Sequence, residues 1–157
     1  MMKGLAVIMI AMLMLVGCAS QQQLTEMDTQ VDEAVAKRFW HIDVTSMNAM
    51  RYGSRTVTPD FFLELRGDTL RSYLPYLGQA YQSPMISPSQ GLNFEAPVKD
   101  YKLSPKKGSK SEMEISVKTQ EDSYVYRVTL HDNGQAYIQV RPQHRDPISF
   151  DGNLEGR

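Results

Sequence analysis

The stretch that decides the fold is SYVYRVTLHDNGQAYIQVRP, residues 123–142. Apolar and polar side chains alternate on both sides of Asp132-Asn133-Gly134, and a period of two is typical of a β-strand with one buried face. Asn-Gly between two such runs favours a type I′ turn, because both central residues of that turn need positive φ. The sequence therefore predicts an antiparallel hairpin that buries Tyr126 and Ile138 and leaves Tyr137 on the wet face.

The same alternation recurs on both sides of this hairpin. It predicts strands around Trp40–Val44, Phe61–Leu65, Leu70–Tyr76, Leu92–Glu95, Lys99–Leu103, Met113–Val117 and Ile148–Phe150. Strands joined by short turns pair antiparallel, because parallel pairs need long crossovers. Apolar residues at helical spacing in 24–35 predict one helix over residues 25–37. The expected fold is mainly β (α+β): about eight antiparallel strands in a curled sheet or a barrel- or sandwich-like arrangement, with one N-terminal helix.

The first eighteen residues have the features of a lipoprotein leader. Lys3 precedes the uncharged run Gly4–Val16, which is shorter than the about 20 residues of a membrane-spanning helix and typical of a signal-peptide core. The run ends in Leu15-Val16-Gly17-Cys18, which resembles the bacterial lipoprotein box. That resemblance implies acyl chains on Cys18 and cleavage before it. Two or three chains would hold the protein stably, since one chain anchors only marginally.

This anchor divides the chain and predicts its location. We expect a signal peptide over 1–17, a lipidated cysteine with a short polar tether over 18–24, and a single globular domain over 25–157. The acyl chains make the membrane the first partner and the cell envelope the location. Ala19 follows Cys18 where some inner-membrane lipoproteins carry aspartate, and this resemblance favours the outer membrane. It does not separate the periplasmic face from the surface face.

Composition excludes several classes of function. The chain has 157 residues, enough for one domain with a real core. Lysine and arginine number 17 against 18 acidic residues, a net charge of −1, so there is no electrostatic footprint for nucleic acid. One cysteine cannot form an intramolecular disulfide. Three separated histidines make a poor zinc site, and no metal or cofactor is predicted.

No catalytic constellation is predicted either, so we expect a protein that is not an enzyme. His41 and Asp43 share one face of a strand, which we interpret as solvated. The tripeptide 144–146 (His-Arg-Asp) occurs in kinases, but the glycine-rich loop and the strand lysine of that fold are missing. Ser72 lacks the Gly-x-Ser-x-Gly elbow. Two further groups are interpreted as solvated turns: the lysines Lys106, Lys107 and Lys110, and the acidic pair Glu121-Asp122.

Several longer stretches resemble one known family. They are SYLPYLGQAY at 72–81, Gly91–Phe94, Asp100-Tyr101, Asn133-Gly134 and, as RDPISFDG, residues 145–152. In this order they resemble the Domain of Unknown Function 4251 family, lipoproteins found mostly in gut-type Bacteroidetes, over about residues 38–155. The resemblance implies a cell-envelope compartment and a mainly β fold. It supplies no activity and no catalytic residues.

A tyrosine-rich segment supplies the candidate binding residues. Tyr73, Tyr76 and Tyr81 lead into a loop that carries Met85 and Ile86 between prolines, and aromatic side chains with a polar tip are common at binding surfaces. We expect a binding module for a protein, a glycan or a small apolar ligand. Alternatively, the tyrosines close one end of a barrel and the loop packs on them. A structural envelope spacer without a ligand and an envelope hydrolase are the other hypotheses.

Overall fold

The structure, a computed structural model, describes residues 19–78 and 91–156, with side chains from residue 26 onward. Its helix is α1 (Ala19–Lys37), and its strands are β1 (Phe39–Ala49), β2 (Gly53–Thr56), β3 (Phe62–Arg66), β4 (Thr69–Pro75), β5 (Gly91–Leu103), β6 (Lys110–Lys118), β7 (Ser123–His131), β8 (Gln135–Pro142) and β9 (Ile148–Leu154). One helix and nine antiparallel strands over these residues confirm the mainly β fold class.

Eight of the strands close into a ring. They pair in the order β1-β3-β4-β5-β6-β7-β8-β9, and β9 pairs back onto β1. Strand β1 can pair with β3 and with β9 because it is long, and its register with β9 shifts between Val44 and Ser46. Strand β2 pairs only with the second half of β1 and lies outside the ring. The sheet is therefore a closed barrel rather than an open sheet or a sandwich.

The barrel interior is filled by the alternating apolar residues. Leu63, Leu74, Ile115 and Phe150 from four different strands are fully buried there, as the alternation predicts. Tyr126 is also fully buried, and its hydroxyl donates a hydrogen bond to Ser72 Oγ at 3.1 Å. Burial raises the pKa of Tyr126 because it disfavours the phenolate.

The predicted hairpin forms, but its turn is not type I′. Only Gly134 takes a positive φ, of 83°, and its N–H donates to His131 O at 2.8 Å. Asn133 Oδ1 instead accepts the N–H of Gln135 at 3.1 Å. Three residues connect β7 to β8, and a type I turn followed by one left-handed glycine is the usual solution for that length.

Helix α1 covers the end of the barrel at which β1 begins. Val31 and Val35 are buried, and Met27 and Ala34 pack against the core. The helix lies close to the β7–β8 turn: a Cβ added to Gly134 of that turn would lie 3.1 Å from Sδ of Met27 in the helix. The helix thus acts as a lid on one end of the barrel.

The helix is longer than predicted. It begins at Ala19 rather than at residue 25, so the described part of the expected tether is helical. Residues 20–24 contain neither glycine nor proline, and the three glutamines and the leucine among them are good helix formers. Across the described ranges, no helix combines the length and hydropathy of a transmembrane span.

One lysine ties this helix to two turns. Lys106 Nζ lies 2.9 Å from a carboxylate oxygen of each of Asp28, Asp32 and Asp132; we call these four residues the helix latch. The β5–β6 turn was predicted, and Lys106 is exposed there as predicted, but its ammonium group also pairs with these three carboxylates. The hydrogen bonds that its ammonium group donates to the three carboxylates raise the pKa of Lys106. The carboxylates could surround a metal ion, yet the ammonium group already occupies their centre.

Candidate functional site

The two ends of the barrel differ in what covers them. The helix end is covered by α1. The opposite end, which we call the loop end, carries the connections 50–52, 57–61, 76–90, 119–122 and 143–147, of which residues 79–90 lie outside the described part of the chain. Three of the buried charged residues, Asp122, Arg145 and Asp146, lie in these connections.

Asp122 joins the β6–β7 connection to the β8–β9 connection. Its Oδ1 accepts the N–H of Ser123 at 2.7 Å, and its Oδ2 accepts the N–H of His144 at 3.2 Å. The Nδ1 of His144 lies 3.0 Å from Oδ1. The prediction that the Glu121-Asp122 pair is solvated is wrong for Asp122, which is only 5% exposed. Three hydrogen bonds compensate for the burial of its charge.

The other two buried charged residues, Arg145 and Asp146, contact further connections at the loop end. Arg145 Nη2 donates to Glu121 Oε2 at 3.3 Å, and its guanidinium lies 5.5 Å from the centre of the Tyr76 ring. Arg51 Nε donates to Asp146 Oδ2 at 3.0 Å, and Tyr76 Oη donates to the backbone oxygen of Asp146 at 3.0 Å. The tripeptide 144–146 is therefore part of a loop-end network, which comprises Arg51, Tyr76, Glu121, Asp122, His144, Arg145 and Asp146.

The structure separates the predicted binding tyrosines. Tyr76 is partly buried in the loop-end network, which matches the alternative that this tyrosine helps to close a barrel end. Tyr73 faces outward from β4 and is 42% exposed. Tyr81, Met85 and Ile86 lie outside the described residues, and so does Cys18.

Tyr73 belongs to a stack of rings on the outer surface. Its ring centre lies 5.5 Å from that of Phe61 and 5.8 Å from that of Phe62. Phe62 in turn stacks on His41 at 4.8 Å. We call these four residues the aromatic row. Phe61, the residue before β3, is partly buried and packs against the core as well as against Tyr73.

A charged cluster adjoins the aromatic row. Glu64, which the alternation predicts to be wet, is only 2% exposed, and its oxygens lie 2.8 Å from Arg66 and 2.9 Å from Arg71. Burial alone would raise the pKa of Glu64, but the two arginine hydrogen bonds outweigh burial and the pKa is lowered. His41 lies 3.3 Å from Asp43 and 3.6 Å from Glu64. Asp43 is exposed, as predicted for a solvated face, whereas His41 is partly buried beside the Glu64 ion pairs.

The family resemblance is confirmed. The sequence model of the family described as "Domain of unknown function (DUF4251)" matches residues 22–154. The chain belongs to the DUF4251 family. A crystal structure of a DUF4251 family protein from Bacteroides eggerthii has the same fold, with a TM-score of 0.63 and 15% identity over 82% of this chain and 86% of that one. No curated protein matches the chain.

Membership of the DUF4251 family brings no residue roles with it, so the candidate site rests on geometry alone. The match begins at residue 22 and so includes most of α1, whereas the motifs in the sequence pointed to a start near residue 38. The loop-end network and the aromatic row lie on parts of the barrel that are distant in sequence. Phe61 and Tyr73 of the row lie at the loop end, where β3 begins and β4 ends, whereas His41 lies near the start of β1.

Proposed function

We propose that the protein is a lipid-anchored binding module of the cell envelope. Acyl chains on Cys18 hold it at a membrane, with the outer membrane favoured, and a partner protein binds to the aromatic row beside the loop end. The observation that carries the binding role is the exposed ring of Tyr73, which is stacked on Phe61 and Phe62. Aromatic side chains dominate the binding energy of protein interfaces.

The shape of the surface favours a protein over a small molecule as the partner of the row. Small ligands bind in concave pockets, whereas Tyr73, the exposed member of the row, faces outward from β4. Arg71 lies 5.7 Å above the Phe62 ring and 3.2 Å from Glu95. Charged residues around an aromatic centre are the usual composition of a protein interface with a polar rim.

We propose a binding role rather than catalysis because the buried carboxylates already have partners within the protein. Each oxygen of Glu64 is bonded to an arginine. Asp122 accepts two backbone N–H groups and faces the His144 ring. A general acid or base must be available to exchange a proton with a substrate, and these carboxylates are occupied in stabilising the fold.

The anchor also sets the orientation of the barrel in this proposal. Helix α1 begins at Ala19, directly after Cys18, and its later turns cover the helix end. The helix end therefore faces the membrane, and the loop end with the aromatic row is presented away from it. A partner can approach that surface without competing with the lipid.

The anchor is tested by Cys18→Ser. We expect this variant to remain uncleaved and to incorporate no labelled fatty acid in intact cells, because serine offers no thiolate to form the thioether bond to a diacylglyceryl group. Ser20→Ala keeps Cys18 and should be labelled like the wild type. Mass spectrometry that found a free thiol at position 18 of the wild-type protein, with residues 1–17 still attached, would contradict the proposal.

The binding surface is tested by Tyr73→Ser with Tyr137→Ser as its matched control. The two tyrosines are similarly exposed, at 42% and 39%, and β4 and β8 lie opposite each other in the eight-strand ring. We expect Tyr73→Ser to weaken the partner complex about tenfold or more, measured as loss of the cross-linked product in intact cells. Tyr137→Ser should keep that product.

Both variants should retain the wild-type melting temperature, since exposed substitutions change stability little. If the two variants gave the same cross-linked products in the same yield, the aromatic row would not be the binding surface. The structural-spacer hypothesis would then be the better explanation of the fold.

A further inference from the structure

A pocket of about 220 Å³ opens to solvent at the loop end, where β1 ends and β9 begins. Its lining consists of Asn48, Met50, Gln139, Pro147, Ile148 and Ser149. They come from β1, β8 and β9 and from two of the loop-end connections. The pocket shares no residue with the aromatic row or with the loop-end network, so it is a different surface from the one that we propose for the partner protein.

Three polar side chains form one row across this pocket. Ser149 of β9 lies opposite Gln139 of β8 and opposite Asn48 of β1, and all three residues are partly exposed. Neighbouring strands are about 4.8 Å apart. The three side chains can therefore contact neighbouring groups of one small ligand.

The row offers both donors and acceptors to a ligand. Asn48 Nδ2 donates to Asp151 Oδ2 at 3.0 Å, which leaves Asn48 Oδ1 as an acceptor. Gln139 Oε1 lies 3.5 Å from Arg141 Nη2, which leaves Gln139 Nε2 as a donor. The Ser149 hydroxyl can donate and accept. A ligand that fits the row must itself carry both kinds of group at short spacing.

Met50 and Pro147 supply an apolar part of the lining that is held in place. Met50 is 68% exposed, so a ligand that covered it would remove apolar surface from water. The residues next to them in sequence are joined, because Arg51 Nε donates to Asp146 Oδ2 at 3.0 Å. This bond holds the β1–β2 turn against the β8–β9 connection, and a site that is ordered before binding loses less entropy when it binds.

The pocket favours a neutral ligand, because none of the described residues that line it is charged. The neighbouring carboxylates have partners: Asp146 is paired with Arg51, and Asp151 accepts hydrogen bonds from Ser46 Oγ and Asn48 Nδ2. An ion placed in the pocket would give up hydration without a matching charge in the lining.

An extended peptide is a less suitable ligand for this pocket. Proteins bind such peptides through the unpaired backbone groups of a sheet edge. Strands β8 and β9, and the part of β1 beside the pocket, each pair with a neighbour on both sides. The pocket therefore presents side chains rather than backbone groups.

We propose that this pocket binds one neutral sugar residue of a glycan. The hydroxyl groups of a pyranose ring both donate and accept, so they can accept the Gln139 amide N–H and donate to Asn48 Oδ1. The apolar face of the ring lies against Met50 and Pro147. The proposal does not depend on the lipid anchor or on the aromatic row.

NMR of the purified, isotope-labelled full-length protein tests the site, because the side-chain amides of Asn48 and Gln139 give signals of their own. The detergent carries no sugar headgroup. The protein is titrated with the methyl glycosides of glucose, galactose and mannose and with N-acetylglucosamine, and separately with glucuronate, phosphate and the peptide mimic N-acetylalanine methylamide. We expect at least one neutral sugar to shift both amide signals saturably, and the other three compounds to give no saturable shift.

The variant Gln139→Leu localises the binding, with Gln135→Leu as its matched control. Both glutamines lie on the same face of β8, but Gln135 is outside the lining. Leucine has nearly the size of glutamine and lacks the amide donor, so Gln139→Leu should weaken sugar binding about tenfold or more, as followed at the Asn48 signal. Gln135→Leu should bind like the wild type, and both variants should keep its melting temperature.

The proposal is wrong if no neutral sugar shifts the two amide signals, or if Gln139→Leu binds the sugar as tightly as Gln135→Leu does. It is also wrong if phosphate or the peptide mimic saturates the signals at a lower concentration than any sugar. Phosphate binding would assign the pocket to an anion held by Arg141, and binding of the mimic would assign it to a peptide.

Discussion

The Gly152→Ala protein should unfold with a free energy about 3 kcal/mol smaller than that of the wild type. Gly152 lies in β9 opposite Val44 of β1 and Ala136 of β8. A Cβ at this position would overlap the backbone oxygen of Asp43 and would lie 3.0 Å from Ile42 Cγ2. Backbone cannot move aside as the end of a side chain can, so the β1–β9 pairing that closes the barrel must shift.

Urea unfolding followed by circular dichroism measures this loss, and Gly156→Ala is the matched control. The nearest atom to a Cβ at Gly156 is Gln30 Oε1 at 3.4 Å, an ordinary contact. We expect Gly156→Ala to lie within about 0.5 kcal/mol of the wild type. Equal stability of the two variants would show that the β1–β9 pairing has more freedom at this point than the structure indicates.

The Lys106→Met protein should lose about 2 kcal/mol of unfolding free energy. Exposed ion pairs contribute at most about 1 kcal/mol each, and networks contribute more than isolated pairs. Removal of the ammonium also leaves three carboxylates, with oxygens within 4.8 Å of one another, to repel across the interface between α1 and the barrel. The neighbouring Lys107 has no ion-pair partner among the described side chains, so Lys107→Met is the control and should change little.

The difference in unfolding free energy between Lys106→Met and the wild type should also change with pH in the alkaline range. The carboxylates raise the pKa of Lys106 in the folded protein. The stabilisation is therefore complete below the unfolded lysine pKa of about 10.4 and is lost as the pH rises through the folded value. Urea unfolding at pH 7, 9 and 11 should show a constant difference at the first two values and a smaller one at the third. A difference equal to that of Lys107→Met at every pH would show that the latch does not stabilise the helix.

Local pattern was sufficient to predict most of the barrel. The alternation around Tyr126 and Ile138 depends only on which face of a strand is buried, so it identifies strands without knowledge of their neighbours. The same rule could not choose between barrel and sandwich, because closure depends on β1 and β9, which are about 100 residues apart. It also failed for Glu64, whose burial depends on arginines that reach it from β3 and from the neighbouring strand β4.

The candidate site was less predictable for the same reason. Lys106 and Asp122 lie in turns whose composition is that of solvated loops. Lys106 meets carboxylates from α1 and from the β7–β8 turn, and Asp122 meets His144 from another connection. Such contacts between distant segments leave no periodic signal in the sequence. The sequence left open whether Tyr73 binds a partner or closes a barrel end, and its stack with Phe61 depends on the path of the β2–β3 connection.

Closure of the ring has a consequence for a protein that would be concentrated in the plane of a membrane. Sheets polymerise by adding strands to unpaired backbone groups at an edge. Every strand of the ring has a neighbouring strand on both sides, and within the described residues only the short, exposed β2 has one neighbour. Within the described residues, β2 is therefore the one strand at the end of the sheet on which strand exchange between adjacent copies could begin, so crowding can bring the barrels together with little fusion of their sheets.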